Sequence, residues 1–435
     1  MDNCPQAEVC GGCAYRGVPY EEQLAEKSKA VLGFLGKNGV PAEAYRGIHA
    51  APSTDAYRNK MEYSFGDEVK GGPLTLGLHK KGSYMAVIDT PGCRIVPEDF
   101  NRIRDAVLLW ARARGHGFYH KKDHNGFLRN LVIRRGERTG ELLVNLVTSS
   151  EETMDEDAFK DLIFGVDTED TITGVLHTVS DRKADAVIKD NVKILYGRDH
   201  YFEEMLGLRF RVGAFSFFQT NTAAVERMLR DALNEFVPGR ATGMTPAARM
   251  PEESVNEFDT KCDSGIVPAA LSVRTDLSAS PESIPWHTDC SLLCDVYCGT
   301  GTISLALSSA AERVIGIELV PDSVESAREN ARLNGVSNCE FRCGDALEQM
   351  EMLSEAGLRP DLAVVDPPRM GLHPKALKKL LTFGLPRVLY LSCNPKTFAE
   401  NMAVMQAAGY SLETLDAYDN FPFTKHIELA AVIWK

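Results

Sequence analysis

The pattern of apolar and polar positions changes in kind along the chain. Residues 1–20 are rich in Cys and Gly and carry no sustained period. Over 21–37, Leu24, Val31 and Leu35 recur at helical spacing and predict an amphipathic helix. From 56 to 212 the apolar runs are short and broken by Gly, Pro and charged turns, as in KMEYSFG, LTLGLHK, YMAVIDT, RNLVIRR and ELLVNLV. This stretch reads as mostly β. Over 222–237, Val225, Met228, Leu229, Ala232, Leu233 and Phe236 share one helical face. Residues 239–288 are small, polar and proline-rich without a period, which reads as a disordered insertion.

From 291 onward strands and helices alternate. Strands read at SLLCDVY, RVIGIEL, CEFRC, LAVVD and RVLYLS, and helices at 302–311, 321–334, 345–356, 373–382 and 396–408. Two further strand-like runs, near 411–418 and at HIELAAVIW, suggest an antiparallel edge. The expected fold class is α/β: a C-terminal doubly wound, Rossmann-like sheet, a mixed and mostly β central domain, and an N-terminal cysteine loop. The expected divisions are 1–50, 51–220, a connecting helix at 221–238, the insertion at 239–288, and 289–435.

Composition narrows the class. A chain of 435 residues, 44% hydrophobic and 25% charged, holds two or three ordinary soluble domains. No apolar run is long enough to span a bilayer. MDNCPQAEVC has neither the basic region nor the apolar core of a signal peptide, so a cytoplasmic protein without a membrane partner is expected. In that compartment eleven cysteines argue for metal-binding or catalytic thiols rather than disulfides. A net charge of −13 disfavours generic polyanion binding. Yet Lys80-Lys81, Lys121-Lys122, Arg134-Arg135, Arg209 and Arg211 together hint that the first half meets a phosphate backbone.

The candidate chemistry lies in the alternating region. In VLYLSCNPKTF, Cys393 stands where a buried strand ends and a helix begins, with Asn394 as cap and Pro395 at the first helical position. The backbone dipoles there favour a thiolate. Cys393 thus reads as a nucleophile, or else as a small packed thiol. DVYCGTGTISLAL follows the first strand, and Gly299 and Gly301 allow a tight turn and close approach to a ligand. Glu318 ends the second strand, where a carboxylate can accept ribose hydroxyls; Asp345 follows the third strand and Asp366 ends the fourth. There is no third glycine and no Lys-Ser/Thr pair for a diphosphate, so S-adenosylmethionine suits the site better than NAD or ATP. In DPPR, Arg369 replaces the aromatic that amino-group methyltransferases use to stack their target base, which argues against an exocyclic amine as acceptor.

With Cys393 and this cofactor site together, the chain resembles the RNA uracil-5 methyltransferase family. The strings that carry the resemblance are FSFFQTN (215–221), DVYCGTG (295–301), DPPRMG (366–371), LSCNP (391–395) and FPFTKHIE (421–428), in the family's order. The likeness implies Cys393 as nucleophile and Glu428 as general base. It implies Gln219, Tyr297, Thr302, Glu318, Asp345 and Asp366 as contacts to S-adenosylmethionine, and Phe217 as the platform for a flipped base. Phe217 as core and Glu428 as an exposed charge on an edge strand are the bland alternatives.

Cys4, Cys10 and Cys13 form C-x5-C-G-G-C, and Cys93 in DTPGCRIV makes a fourth. Four thiolates suit either zinc or an iron–sulfur cluster. The family's ribosomal RNA members carry such a set with a 4Fe-4S cluster, which implies that cofactor and a 23S ribosomal RNA substrate for a monomeric enzyme. Many of them precede the cysteines with a small β-barrel; this sequence starts at the cysteines, so grip on RNA is expected from 56–212. The alternatives are a transfer RNA uracil-5 methyltransferase and a non-catalytic iron–sulfur RNA-binding protein. An RNA cytosine-5 methyltransferase is disfavoured by Arg369 beside the paired prolines.

Overall fold

Residues 4–183, 187–237 and 290–435 are described by a computed structural model of the chain; the insertion read at 239–288 lies outside them. The first helix, α1 (Tyr20–Lys37), buries Gln23, Lys27, Val31 and Leu35, an i, i+4 stripe. Two polar residues therefore hold core-facing places, and Leu24 is only half-buried. The charge of Lys27 tolerates burial because its Nζ donates to Asp419 Oδ1 at 2.6 Å.

After β1 (Tyr45–His49) come β2 (Lys60–Asp67), β3 (Leu74–His79), β4 (Val87–Asp89), α2 (Glu98–Arg114), β5 (Leu128–Gly136), β6 (Glu141–Thr148), α3 (Glu156–Phe164), β7 (Thr171–Val179) and β8 (Asn191–Gly197). They build a seven-stranded sheet in the order β4-β3-β2-β5-β6-β7-β8. It is antiparallel except at β6–β7, where α3 makes the crossover. The stretch 56–212 is mostly β as expected, with two helices that the run pattern did not indicate. In α2, Phe100, Ile103, Val107, Leu108 and Ala111 are buried at helical spacing, and α3 starts at Asp155, which accepts the Ala158 N–H at 3.1 Å. A separate ribbon pairs β9 (His200–Met205) with β10 (Leu208–Gly213). Then α4 (Thr222–Phe236) buries all six apolar residues expected of its face.

The alternating region gives β11 (Leu292–Val296), α5 (Thr302–Ala306), β12 (Arg313–Glu318), α6 (Pro321–Leu333), β13 (Cys339–Cys343), α7 (Ala346–Glu355), β14 (Leu362–Val365), α8 (Pro374–Thr382), β15 (Arg387–Ser392), α9 (Pro395–Ala407), β16 (Ser411–Tyr418) and β17 (Glu428–Trp434). Helix α5 is shorter than its pattern suggests and gives way to a 3-10 turn at Ser308–Ala310. The sheet runs β1-β16-β17-β15-β14-β11-β12-β13.

Here the expected antiparallel edge is corrected. Strand β17 lies between β15 and β16, antiparallel to both, and the edge belongs to β1, parallel to β16. Interior position explains why HIELAAVIW is nearly all apolar: both faces of β17 are covered. On one face Leu293, Val314, Leu389, Ala430 and Val432 pack under α4 and the ribbon. On the other, Cys294, Ile315, Tyr390 and Ala431 pack under α1, α7, α8 and α9. Residues 20–49 thus complete the C-terminal sheet instead of standing apart with the cysteine loop. Among the described residues no helix is long and apolar enough to cross a membrane.

Candidate active site

Strands β12, β11, β14 and β15 are mutually parallel, so the turns that follow them gather on one edge of the sheet. Register then assembles the reactive groups. Ser392 of β15 faces Leu429 of the antiparallel β17, so the next step along each strand sets Cys393 opposite Glu428. Val365 pairs with Tyr390, which brings Asp366 to the same edge. Asn394 caps α9 by accepting the Lys396 N–H at 3.2 Å, with Pro395 at its first position, as its sequence indicates.

The thiol does not behave as the helix start alone suggests. Burial, together with the carboxyls of Glu428 and Asp366, pushes Cys393 up to about 11, against an opposing pull from Arg369. Cys393 precedes the cap, and its burial, joined by the two acids, outweighs the backbone dipoles. Glu428 is itself raised to about 8 by burial and by Asp366, again opposed by Arg369, and burial lifts Asp366 to about 6. Groups this close titrate as a set. Because β17 is interior, Glu428 is not an exposed edge charge.

Arg369, whose charge favours ionisation of both Cys393 and Glu428, was noted in the sequence only for what it excludes. Asn394 Nδ2 and Thr397 Oγ1 donate to its carbonyl at 2.8 and 3.3 Å, tying the DPPR turn to the start of α9. Asp295 was also missed. It is fully buried, accepts from Ser304 Oγ at 2.6 Å, and is raised to about 7 by burial. An acid inside an otherwise apolar strand, LLCDV, was the available signal.

Most of the residues expected to contact the cofactor fall on the same edge. Tyr297 follows β11 at φ 71° with its N–H on the Ile317 carbonyl at 2.9 Å, and Thr302 opens α5. Glu318 ends β12, its carboxylate accepting the N–H groups of Gly299 at 3.2 Å and Val320 at 2.8 Å. Gly301 is at φ 84°, a conformation that strains other residues, and a Cβ there would crowd Ala327 and Phe341 at 3.1 Å. Beside Gly299, at φ 54°, the space is open. A left-handed glycine turn with a carboxylate at its base and open space at its side fits an adenosine moiety held through its ribose. Asp345 caps α7, accepting from Leu347 N and Glu348 N at 2.9 and 3.3 Å. Gln219 lies on the segment between β10 and α4, its carbonyl bonded by Asn59 Nδ2 at 3.1 Å.

Phe217, on that same segment, is 71% exposed, while its neighbour Phe218 is buried against Phe210. Phe218, not Phe217, is therefore the core residue. Asn221 Nδ2 donates to the Asn420 carbonyl at 2.8 Å and ties this segment to the loop that leads into Glu428.

Cys4, Cys10, Cys13 and Cys93 line one cavity, together with Arg16, Leu78 and Ile95. All four are free thiols, and Cys10 Sγ accepts the Gly12 N–H at 3.4 Å. Among the described residues no three His, Cys, Asp or Glu side chains gather closely enough to hold a single metal ion. Burial raises Cys13 to about 12, so binding to a cation would have to draw off its proton. Cys294 is buried within β11 and Cys290 and Cys298 are buried on either side of it, and Cys262 lies outside the described residues.

Of the basic residues in the first half, several are engaged internally. Arg134 is buried, Arg135 pairs with Asp170, Arg211 with Asp199 at 3.0 Å, and Lys80 with Glu68 at 3.0 Å. A separate cavity of about 390 Å³ lies between the cysteine loop and the Phe217 segment, lined by Gly12, Arg58, Lys60, Glu62 and Thr220 among others, with Lys60 paired to Glu62 at 2.5 Å.

Residues 284–435 match the family model described as tRNA (Uracil-5-)-methyltransferase. An uncharacterized RNA methyltransferase of Clostridium tetani is 38% identical over 425 residues, 98% of this chain and 82% of that protein. One from Caldanaerobacter subterraneus is 38% identical over 432 residues, 99% of this chain and 84% of that protein. Among solved structures, the Pyrococcus abyssi tRNA (uracil-54, C5)-methyltransferase in complex with S-adenosyl-L-homocysteine aligns with a TM-score of 0.70 at 22% identity, covering 98% of this chain and 86% of that one. At that identity the likeness is one of fold.

Proposed function

Because the chain belongs to the S-adenosylmethionine-dependent RNA uracil-5 methyltransferase family, we propose that it methylates carbon 5 of a uridine in 23S ribosomal RNA through a covalent cysteine–uracil intermediate. The observation that carries the covalent route is the β15–β17 register, which sets Cys393 against Glu428 beside Asp366 and Arg369.

Carbon 5 of uracil is a weak nucleophile. The Cys393 thiolate adds to carbon 6, forming a C–S bond and moving the electron pair of the 5,6 double bond into an enolate. Bound S-adenosylmethionine supplies the electrophilic methyl group, which carbon 5 accepts. Glu428 then takes the proton from carbon 5, the double bond re-forms, and the C–S bond breaks to return the thiolate. Tyr297, Thr302, Glu318, Asp345, Asp366 and Gln219 hold the methyl donor. Arg369 offsets the negative charge that builds up around Cys393. Phe217, exposed and anchored through Asn221, stacks on the uracil swung out of its helix. The Arg58–Lys60 cavity receives the adjoining strand.

The cysteine cavity supports a 4Fe-4S cluster. Thiolates around one zinc ion sit ~2.3 Å from it and so crowd together; thiolates that each ligate a different iron stand further apart around a shared cavity. The Gly12 N–H on Cys10 Sγ is the kind of bond that tunes such a cluster. Anaerobically purified protein is expected to be brown and to contain iron and sulfide, and Cys10→Ser to lose the colour. Colourless protein with stoichiometric zinc would refute this cofactor.

By the likeness to the family's ribosomal RNA members, the cluster cysteines favour ribosomal RNA and an enzyme acting in the cytoplasm. A transfer RNA substrate is the second reading, favoured by the fold shared with a transfer RNA methyltransferase. Mapping 5-methyluridine in ribosomal and transfer RNA, from cells with and without the protein, separates them. Loss of a ribosomal mark alone supports the first, loss of a transfer RNA mark alone the second, and loss of neither counts against both.

A further inference from the structure

The loop 419–427, which leads into Glu428, is held by the segment that carries the cysteines. The N–H groups of Ala14 and Tyr15, directly after Cys13, donate to the Phe423 carbonyl at 2.8 and 2.9 Å. Gln23 Oε1 accepts the Phe423 N–H at 3.0 Å, and Lys27 Nζ binds Asp419 at 2.6 Å from the same buried stripe of α1. Phe423 is at φ 66°, a left-handed conformation that a non-glycine residue keeps only where its surroundings impose it. Arg16 spans both places: it lines the cysteine cavity, and its guanidinium lies 4.2 Å from the centre of the Phe423 ring. Four residues, Thr424 to Ile427, separate Phe423 from the start of β17 at Glu428.

We propose that the segment from Cys13 to Lys27 is a clamp that positions the Glu428 loop, with Arg16 the positioning residue that transmits the filled or empty state of the cysteine cavity to it. This rests on the covalent reading above for its consequence in turnover, and on geometry alone for its consequence in the loop. Filling the cavity fixes Cys13 and hence the two N–H groups on Phe423. Emptying it lets Phe423 relax and Glu428 shift, which slows proton removal from carbon 5 after the thiolate has already added.

The test compares full-length wild type, wild type stripped of iron, Arg16→Ala, Arg16→Lys and Gln23→Met. Hydrogen–deuterium exchange in 419–427 is expected to speed up in the stripped protein, in Arg16→Ala and in Gln23→Met, and to return towards wild type in Arg16→Lys. With uridine-containing RNA the same three are expected to accumulate a denaturant-stable protein–RNA adduct. Turnover should fall about ten- to a hundredfold, the scale of a misplaced catalytic group, with S-adenosylmethionine affinity unchanged. Wild-type exchange rates in Arg16→Ala or in the stripped protein would overturn the proposal. So would a joint collapse of adduct formation and S-adenosylmethionine binding, which marks general unfolding. If wild type forms no adduct even with 5-fluorouridine RNA, the covalent reading has failed instead, and the exchange measurements still decide the clamp.

Discussion

Replacement of Cys393 by alanine is expected to reduce methyl transfer at least about 10³-fold, because Cys393 is the thiol that the strand register sets opposite Glu428 and its loss removes the group that adds to carbon 6 and then leaves again. Binding of S-adenosylmethionine should stay within a few-fold of wild type. The glycine turn and Glu318 stand on β11 and β12, and their bonds run to Gly299, Val320 and the Ile317 carbonyl rather than to β15. The thiol is only half-buried, so its removal should cost about 1 kcal/mol of stability or less and leave the fold intact. Methyl incorporation into RNA and calorimetric titration with S-adenosylmethionine, made on the same preparation, check both halves. Activity retained by the variant would end the covalent mechanism. Loss of cofactor binding would place Cys393 among the cofactor contacts instead.

The C-terminal sheet was legible because its strands are short apolar runs separated by helices with clear stripes and caps. Asn394, Pro395 and Asp345 sit where their capping chemistry puts them. Strand order was less legible. HIELAAVIW announces a buried strand, but nothing local says that it inserts between β15 and β16 or that β1 closes the sheet from the other end of the chain. That non-local pairing is what sets Glu428 opposite Cys393, so the pair was reached through resemblance and not through periodicity. The stripe of α1 misled for a related reason. Gln23 and Lys27 look like surface residues until Asp419 and Phe423, almost four hundred residues away, supply their partners. Helix α2 was missed although its period was present; the Gly- and Pro-rich turns around it drew the reading towards β. The raised thiol of Cys393 was not foreseeable, because its causes are burial at the sheet edge and, after that, two acids brought in by neighbouring strands.

Glu428→Gln is expected to lower kcat about 10²- to 10⁴-fold, the range for a lost general base, while the thiolate still adds and the methyl still transfers. The product then stays bonded to Cys393, so a methylated, denaturant-stable protein–RNA adduct should build up with ordinary uridine, visible as a band of reduced mobility that nuclease trims. Absence of that band, with turnover still lost, would move Glu428 to an earlier step. The pH dependence has a definite sign. Glu428 works as carboxylate and is held up to about 8, and Cys393 works as thiolate and is held up to about 11. Wild-type kcat/KM should therefore rise with pH from neutrality through about 8 with no falling limb from either group. Stability runs the opposite way. A carboxyl whose folded pKa lies above its unfolded value keeps a proton that the unfolded chain has already lost, so the folded state weakens as pH rises from about 4.5 towards 8. Glutamine carries no such penalty. The variant should match wild type in melting temperature near the lower end of that window and exceed it at the upper end, even as it loses turnover: activity and stability pull apart at one residue because the catalytic base is kept where its charged form is unwelcome.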